Sequence, residues 1–211
     1  MADGEPRWRR RKTARPGEIL EAALAVFADK GFAAARLSDI AAKAGVSKAA
    51  LYVYFETKTD LFRAVANQVA APNIERLRPL VDGEPGRFAE MMPVILSGIA
   101  KVAEDMPLGG IAKMVIGESR NFPEIASVWR EAVIERALSM IVQLVEQAQK
   151  KGEVRAGDPR LYGLSLLGPM IMGVLWTEVA VPAGGAPIDL HKLAAQHAGV
   201  LMDGMLVEAR R

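Results

Sequence analysis

The side chains best able to bind a polyanion are concentrated at the start of the chain. Residues 1–70 contain 12 Lys and Arg against 8 Asp and Glu, a balance of +4, whereas residues 71–211 contain 15 against 17, a balance of −2. The first fifteen residues alone carry six basic side chains: Arg7, Arg9, Arg10, Arg11, Lys12 and Arg15. This asymmetry indicates that the front of the protein faces a polyanion. We interpret residues 1–15 as a basic flexible arm, which either enters a DNA groove or stays a solvated tail.

The segment from Leu37 to Phe55 has the spacing of a helix-turn-helix. Apolar periodicity predicts a first short helix over residues 37–44, and Gly45 follows it as a residue that readily takes the left-handed conformation that ends a helix. Ser47 is a good N-cap for a second helix over residues 48–54. A rod of about 12 Å suits the major groove of DNA, and the cap points its N-terminus outward.

Helical patterns extend on both sides of this segment. A first helix begins near Pro16 and stops at Lys30-Gly31, and the capping box Thr57–Asp60 starts a fourth helix at Lys58. Residues 71–86 are rich in proline and glycine and mark a linker or domain boundary. Further helices are predicted over residues 87–105, 108–120, 124–151, 159–180 and 189–209. No alternating β-branched run predicts a sheet. We therefore expect an all-α fold: a three-helix helix-turn-helix DNA-binding domain over residues 16–70, and a larger C-terminal helical domain over residues 87–211.

Several classes of protein do not match the sequence. The absence of cysteine excludes a disulfide framework and a thiolate site, and suits the cytoplasm. Residues 161–177 carry no charge, but they are slightly short for a bilayer and contain three glycines and a proline, so we expect no membrane span. His191 and His197 are six residues apart and fall on different helix faces, which does not suit a shared metal. No phosphate-loop, zinc-protease or nucleophile-elbow motif is present, so we expect no enzyme, metal or cofactor.

The segment resembles the DNA-binding domain of the TetR family of bacterial transcriptional regulators. The resemblance covers residues 16–65 strongly, and over residues 87–211 it rests on the helical layout alone. The matching residues are Ile40-Ala41, Ala44-Gly45-Val46-Ser47, Leu51-Tyr52, Tyr54-Phe55, Lys58 and Leu61, with Ala22-Ala23, Phe27, Gly31 and Phe32 upstream.

The resemblance implies DNA contacts for particular side chains. Lys48 would reach a base edge or a phosphate, Tyr52 and Tyr54 would bind phosphates through their hydroxyls, and Ser47 and Lys58 would meet phosphates at helix starts. Three of these side chains have an alternative: Tyr52 and Tyr54 could be packing residues, and Lys48 could be a solvated lysine.

Two departures from the family pattern affect this surface. Ala35-Arg36 stands where a hydroxyl residue usually precedes the second helix, so a cap is lost, and Arg36 could supply a charged contact instead. Ala49-Ala50 stands where Gly-Thr is frequent. Two methyl groups can touch a thymine methyl but cannot hydrogen-bond a base, so we expect modest direct readout.

The rear domain contains all nine methionines other than Met1. Methionine suits adaptable apolar pockets, and the resemblance implies a pocket for a small apolar molecule in this domain. The candidates are Met91, Met92, Met114, Trp129, Met140, Met170, Met172 and Trp176, each of which could instead fill the core. Glu118, Arg120 and Arg136 are possible polar ligand contacts, with a solvated face or a salt bridge as the favoured alternative.

The charge-free 161–177 stretch needs more apolar cover than one subunit supplies, so we expect a two-fold dimer. The sequence thus favours a ligand-responsive repressor that binds a pseudo-palindromic operator as a homodimer. The alternative is a helical small-molecule carrier without DNA function.

Overall fold

The computed structural model describes residues 16–82 and 87–207, within which the chain forms ten α-helices and no strand longer than an isolated bridge. The predicted all-α fold is therefore confirmed. The helices are α1 (Pro16–Ala34), α2 (Leu37–Lys43), α3 (Lys48–Tyr54), α4 (Lys58–Asp82), α5 (Phe88–Asp105), α6 (Leu108–Glu118), α7 (Pro123–Trp129), α8 (Glu135–Lys150), α9 (Pro159–Leu175) and α10 (Leu190–Met205). The basic arm, residues 1–15, lies outside the described residues.

The helix-turn-helix forms from local signals. Gly45 has φ +70°, the left-handed conformation that ends α2, and Ser47 Oγ accepts a hydrogen bond from Ala50 N at 3.1 Å at the start of α3. The capping box also forms, because Thr57 N donates to Asp60 Oδ2 at 3.1 Å and Asp60 N donates to Thr57 Oγ1 at 3.0 Å. These short-range bonds fix the point at which α3 begins after α2 and the point at which α4 begins after α3.

Helix α4 continues through residues 71–82, where we expected a connecting segment. It contains Pro72 and Pro79 inside its span. The fixed φ of proline is compatible with a helix, and each proline removes one backbone donor without ending the rod. The linker that the proline content predicted over residues 71–82 is therefore wrong, because this part of the chain is helical. Residues 83–86 lie outside the described part of the chain.

Two of the long predicted helices contain a wider π-helical turn. Residues 124–151 divide into α7, a π turn over Arg130–Ile134, and α8, while α9 runs into a π turn over Trp176–Ala180. Apolar periodicity predicted the extent of these helices, but a single inserted residue per turn is too small a change to read from the sequence.

The apolar core is divided into three clusters. The first joins the helix-turn-helix domain to α6 and α7, since Ile111 and Trp129 share it with Phe27, Ile40 and Leu51. The second lies between α5, α8, α9 and α10, and the third between α5, α9 and α10. Because α6 and α7 complete the first cluster, they are fixed to the helix-turn-helix domain as well as to the rear of the molecule.

The segment Pro159–Ala180 is apolar and long enough to cross a membrane by length and composition, with 33% of its most apolar window buried. Its inner face packs against α8 and α10, while its outer face is exposed and apolar. Such a helix is also typical of a soluble protein that pairs with another subunit.

Candidate DNA-binding surface

Helix α3 is attached to the domain by one side and open on the other. Leu51 is fully buried in the first core cluster, on the side of α3 that packs against α2. On the opposite side Ala49 is exposed and Val53 is 80% exposed. Helix α3 is therefore an outward-facing element, as major-groove binding requires.

The two tyrosines of α3 are both available to a ligand. Tyr52 and Tyr54 are each 45% exposed, and neither hydroxyl has a hydrogen-bond partner within the described residues. The Lys48 ammonium lies 5.8 Å from the centre of the Tyr52 ring, a cation–π contact at the edge of this surface. This geometry disfavours the interpretation of the tyrosines as packing residues.

Ser47 and Arg36 lie at the starts of α3 and α2. The Ser47 oxygen accepts the Ala50 N–H, which leaves its hydroxyl hydrogen free to donate to an anion. Arg36 is exposed at the N-cap position of α2 and makes no side-chain cap, as expected from the missing hydroxyl. Nearby, the Lys30 ammonium binds Asp39 at 2.8 Å, and this hydrogen bond lowers the pKa of the Asp39 carboxyl.

Lys58 is placed differently from our expectation. Its ammonium donates to the carbonyl oxygens of Phe32, Ala33 and Ala35, the last at 3.1 Å, and it lies over the Phe32 ring. Burial lowers the pKa of this ammonium, and the Glu118 carboxylate opposes the shift. Three donors committed to the end of α1 leave none free for phosphate, so Lys58 positions α1 against α4.

Glu118 binds the same turn at the end of α1, a contact that no sequence pattern predicts. Its carboxylate accepts hydrogen bonds from Phe32 N at 3.0 Å and from Ala33 N at 2.6 Å. These donors follow Gly31, where φ +78° and ψ 170° interrupt α1 and turn two N–H groups toward α6. Since the partners are more than 80 residues apart, no local pattern could have found this contact.

Val53 is the other residue that sequence reasoning missed. Valine carries no group that binds phosphate, so its residue type alone does not mark it as a DNA contact. The four-residue spacing of residues 49 and 53 predicts that both lie on the side of α3 opposite Leu51.

The structure does not bring the eight candidate ligand residues together. Met114 and Trp129 belong to the first core cluster, beside the DNA-binding domain, and Met170 belongs to the third. Met172 is 62% exposed on the outer side of α9, which contradicts a place inside a pocket. Trp176 is also partly exposed, with Nε1 donating to Ala186 O at 2.8 Å.

The three remaining candidates, Met91, Met92 and Met140, share the second cluster. A cavity of about 10 Å³, room for roughly one water molecule, lies beside Met91 between α5 and α8. Its lining includes Phe88 and Leu144. Helical periodicity indicated neither which of the eight candidates face each other nor that Met172 and Trp176 face outward.

Comparison with known proteins agrees with this architecture. Residues 19–65 match the family of bacterial regulatory proteins, tetR family, and residues 90–183 match the C-terminal domain of AefR-like transcriptional repressors. The HTH-type transcriptional repressor KstR2 of Mycobacterium tuberculosis is 24% identical over 198 residues, which cover 92% of this chain and 94% of the relative.

Two solved structures share the fold. The fatty acid degradation regulator FadR from Bacillus halodurans superposes with a TM-score of 0.76 and 22% identity, covering 90% of this chain and 95% of that one. FadR from Bacillus subtilis, in complex with stearoyl-CoA, superposes with a TM-score of 0.74 and 22% identity, covering 90% of this chain and 99% of that one.

The fold and the exposed α3 define a helix-turn-helix DNA-binding regulator. With both parts of the chain matched, the protein belongs to the TetR family of bacterial transcriptional regulators, and it is a regulator rather than an enzyme.

Proposed function

We propose that this protein binds a pseudo-palindromic operator as a homodimer, represses transcription, and is released by a small, largely apolar effector. The observation that carries the proposal is the pairing of an open recognition helix, α3, with an uncovered apolar face on α9 and α10. The DNA contacts would come from Arg36, Ser47, Lys48, Tyr52 and Tyr54, with Ala49 and Ala50 against the bases. Such a protein acts in the cytoplasm, where its operator lies.

The dimer would form through the outer faces of the last two helices. On α9 and its π turn the exposed apolar residues recur at helical spacing: Leu161, Leu164, Ile171, Met172, Trp176 and Val179. On α10 the exposed residues include the small Ala195 and Gly199, with the apolar Val200 beside them. Small residues allow a partner helix to approach closely, and a second copy supplies the apolar cover that this face lacks. Two copies of α3 would then meet half-sites about 34–36 Å apart.

The effector would enter the second core cluster, at Met91, Met92 and Met140. Methionine side chains repack at low cost, and Met202 and Met205 line the same cluster. The existing cavity is far smaller than the roughly 300 Å³ that a small-molecule site requires, so α5 and α8 would have to separate on binding. The stearoyl-CoA bound by the Bacillus subtilis FadR supports an apolar effector for this fold.

The signal would pass to DNA through α6. This helix packs on α9 at one side and on α1 at the other. A Cβ at Gly110 would meet the Ala28 Cβ at 3.0 Å, so α6 and α1 are already in close contact. At its end Glu118 binds α1 directly. A movement of α6 would therefore change the spacing of the two α3 helices, and a coupling of about 1–3 kcal/mol would weaken operator binding roughly 5–150-fold.

The decisive experiment is to select DNA from a random duplex library with the purified protein and measure its dissociation constant by fluorescence anisotropy at several salt concentrations. A repressor gives a palindromic consensus and a steep loss of affinity with salt. Stearoyl-CoA serves as the effector probe, with palmitate and coenzyme A as controls. A protein that retains an apolar ligand but selects no sequence would be the carrier of the alternative hypothesis, and the proposal would fail.

A further inference from the structure

We propose that Val53, together with Ala49, reads thymine methyl groups in each operator half-site. This inference rests on the proposed function, because it specifies what α3 recognises in the DNA. The relevant surface is the outermost ridge of α3, formed by the side chains of residues 49 and 53.

The ridge points directly away from the protein. Successive residues of an α-helix are rotated by about 100°, so residues 49 and 53 lie on either side of the direction opposite Leu51. Leu51 is fully buried, whereas Val53 is 80% exposed and Ala49 is exposed. In a helix laid in the major groove, these two side chains are the first to reach the base edges.

The polar groups of α3 are on its flanks. Lys48 and Tyr52 lie on one side of the ridge, where the ammonium is held 5.8 Å from the ring centre, and Tyr54 lies on the other. The flanks face the two walls of the groove, where the phosphates are. The ridge itself ends in methyl groups and can neither donate nor accept a hydrogen bond.

The major groove offers one apolar feature to such a ridge, the C5 methyl group of thymine. Contact between a valine methyl and a thymine methyl removes both from water, which is worth about fourfold in affinity for each methyl group buried. A cytosine at the same place would put its polar amino group against the methyls without a partner. The ridge therefore favours thymine by apolar contact and disfavours cytosine by desolvation.

The test uses duplexes that the protein itself selects from a random library, prepared with thymine or with uracil, which lacks only the methyl group. We expect the wild type to bind the uracil duplex at least about fourfold more weakly, and about 15-fold if both half-sites contribute. In Val53→Ala, which keeps the Ala49 methyl group, this ratio should fall clearly below the wild-type value. Changes in DNA shape caused by uracil affect both proteins equally, so they cancel when the ratio of the wild type is compared with that of Val53→Ala.

Val94→Ala provides the matched control, since Val94 is 56% exposed on α5, away from α3. It should retain the wild-type ratio, and neither substitution should lower the melting temperature. An equal uracil-to-thymine ratio in wild type and Val53→Ala would overturn the inference while leaving the proposed function intact. Failure to select any DNA would instead overturn the proposed function.

Discussion

The carboxylate of Glu118 lies against Gly31 so closely that a Cβ on that glycine would overlap Oε1. The glycine breaks α1, and the break exposes the two N–H groups that the carboxylate binds. Lys58 binds the carbonyls of the same turn. One short stretch of α1 is thus held by an anion from α6 and a cation from α4, and this joint connects the rear of the protein to its DNA-binding domain.

Removal of the Glu118 carboxylate should loosen this joint. Glu118→Ala leaves two N–H groups without their charged partner, and we expect a loss of about 1.5–3 kcal/mol in the free energy of unfolding. Glu118→Gln retains one acceptor oxygen and should be intermediate. Hydrogen exchange of the Phe32 and Ala33 amides measures the contact directly. The exposed Glu124→Gln on α7 should leave both the exchange and the stability unchanged; unaltered exchange in Glu118→Ala would contradict the contact.

Gly31→Ala should be destabilising for two reasons. With φ +78° and ψ 170° the residue occupies a region essentially restricted to glycine, which costs other residues about 1–3 kcal/mol. The new methyl group would also displace Glu118 from its two donors. Gly98→Ala in the middle of α5 is the matched control, because its Cβ meets nothing within 4 Å and a helical alanine should stabilise by about 0.5–1 kcal/mol. Thermal unfolding distinguishes the two, and equal effects would refute the strain at Gly31.

Ser47 substitutions separate capping from DNA binding. Ser47→Ala removes the acceptor for Ala50 N and should cost about 1 kcal/mol of stability. Ser47→Asp keeps the cap but places a negative charge beside the phosphates. We expect it to retain the wild-type melting temperature and to lose DNA affinity more severely than Ser47→Ala. If Ser47→Asp binds DNA as the wild type does, Ser47 lies away from the phosphates.

Lys48 and Lys58 should respond differently to salt. A lysine that meets phosphate contributes about one unit to the slope of log affinity against log salt concentration. Lys48→Met should lower that slope, because its ammonium is exposed on α3. Lys58→Met should lower the melting temperature, because three carbonyls lose their donor, and should leave the slope unchanged. A reduced slope in Lys58→Met would restore Lys58 to the DNA contacts.

A charge on the outer face of α9 should separate the proposed dimer. Ile171→Glu places a carboxylate at the centre of the exposed apolar stripe and should give a monomer in light scattering. DNA affinity should fall with it, because the two half-sites would no longer be bound together. Ile116→Glu on α6 is the control, since Ile116 is similarly exposed on another helix. A dimeric Ile171→Glu protein would remove α9 from the interface.

The sequence by itself determined the all-α fold and the turns of the helix-turn-helix, although not the length of α4 or the two π turns. Gly45, Ser47 and the pair Thr57 and Asp60 form hydrogen bonds or backbone conformations within a few residues, so their types alone predict the geometry. The outward position of α3 followed from the same local pattern, with the buried Leu51 on its inner side.

Only the tertiary structure decided which distant groups meet. Lys58, which we expected to meet a phosphate, instead donates to three carbonyls. Glu118 lies against the break in α1, and the methionines are divided between separate clusters. Periodicity reports that a side chain faces inward, but its neighbours depend on how rigid helices far apart in the chain pack together. That arrangement is set by the shapes of whole helix surfaces, which no local spacing contains.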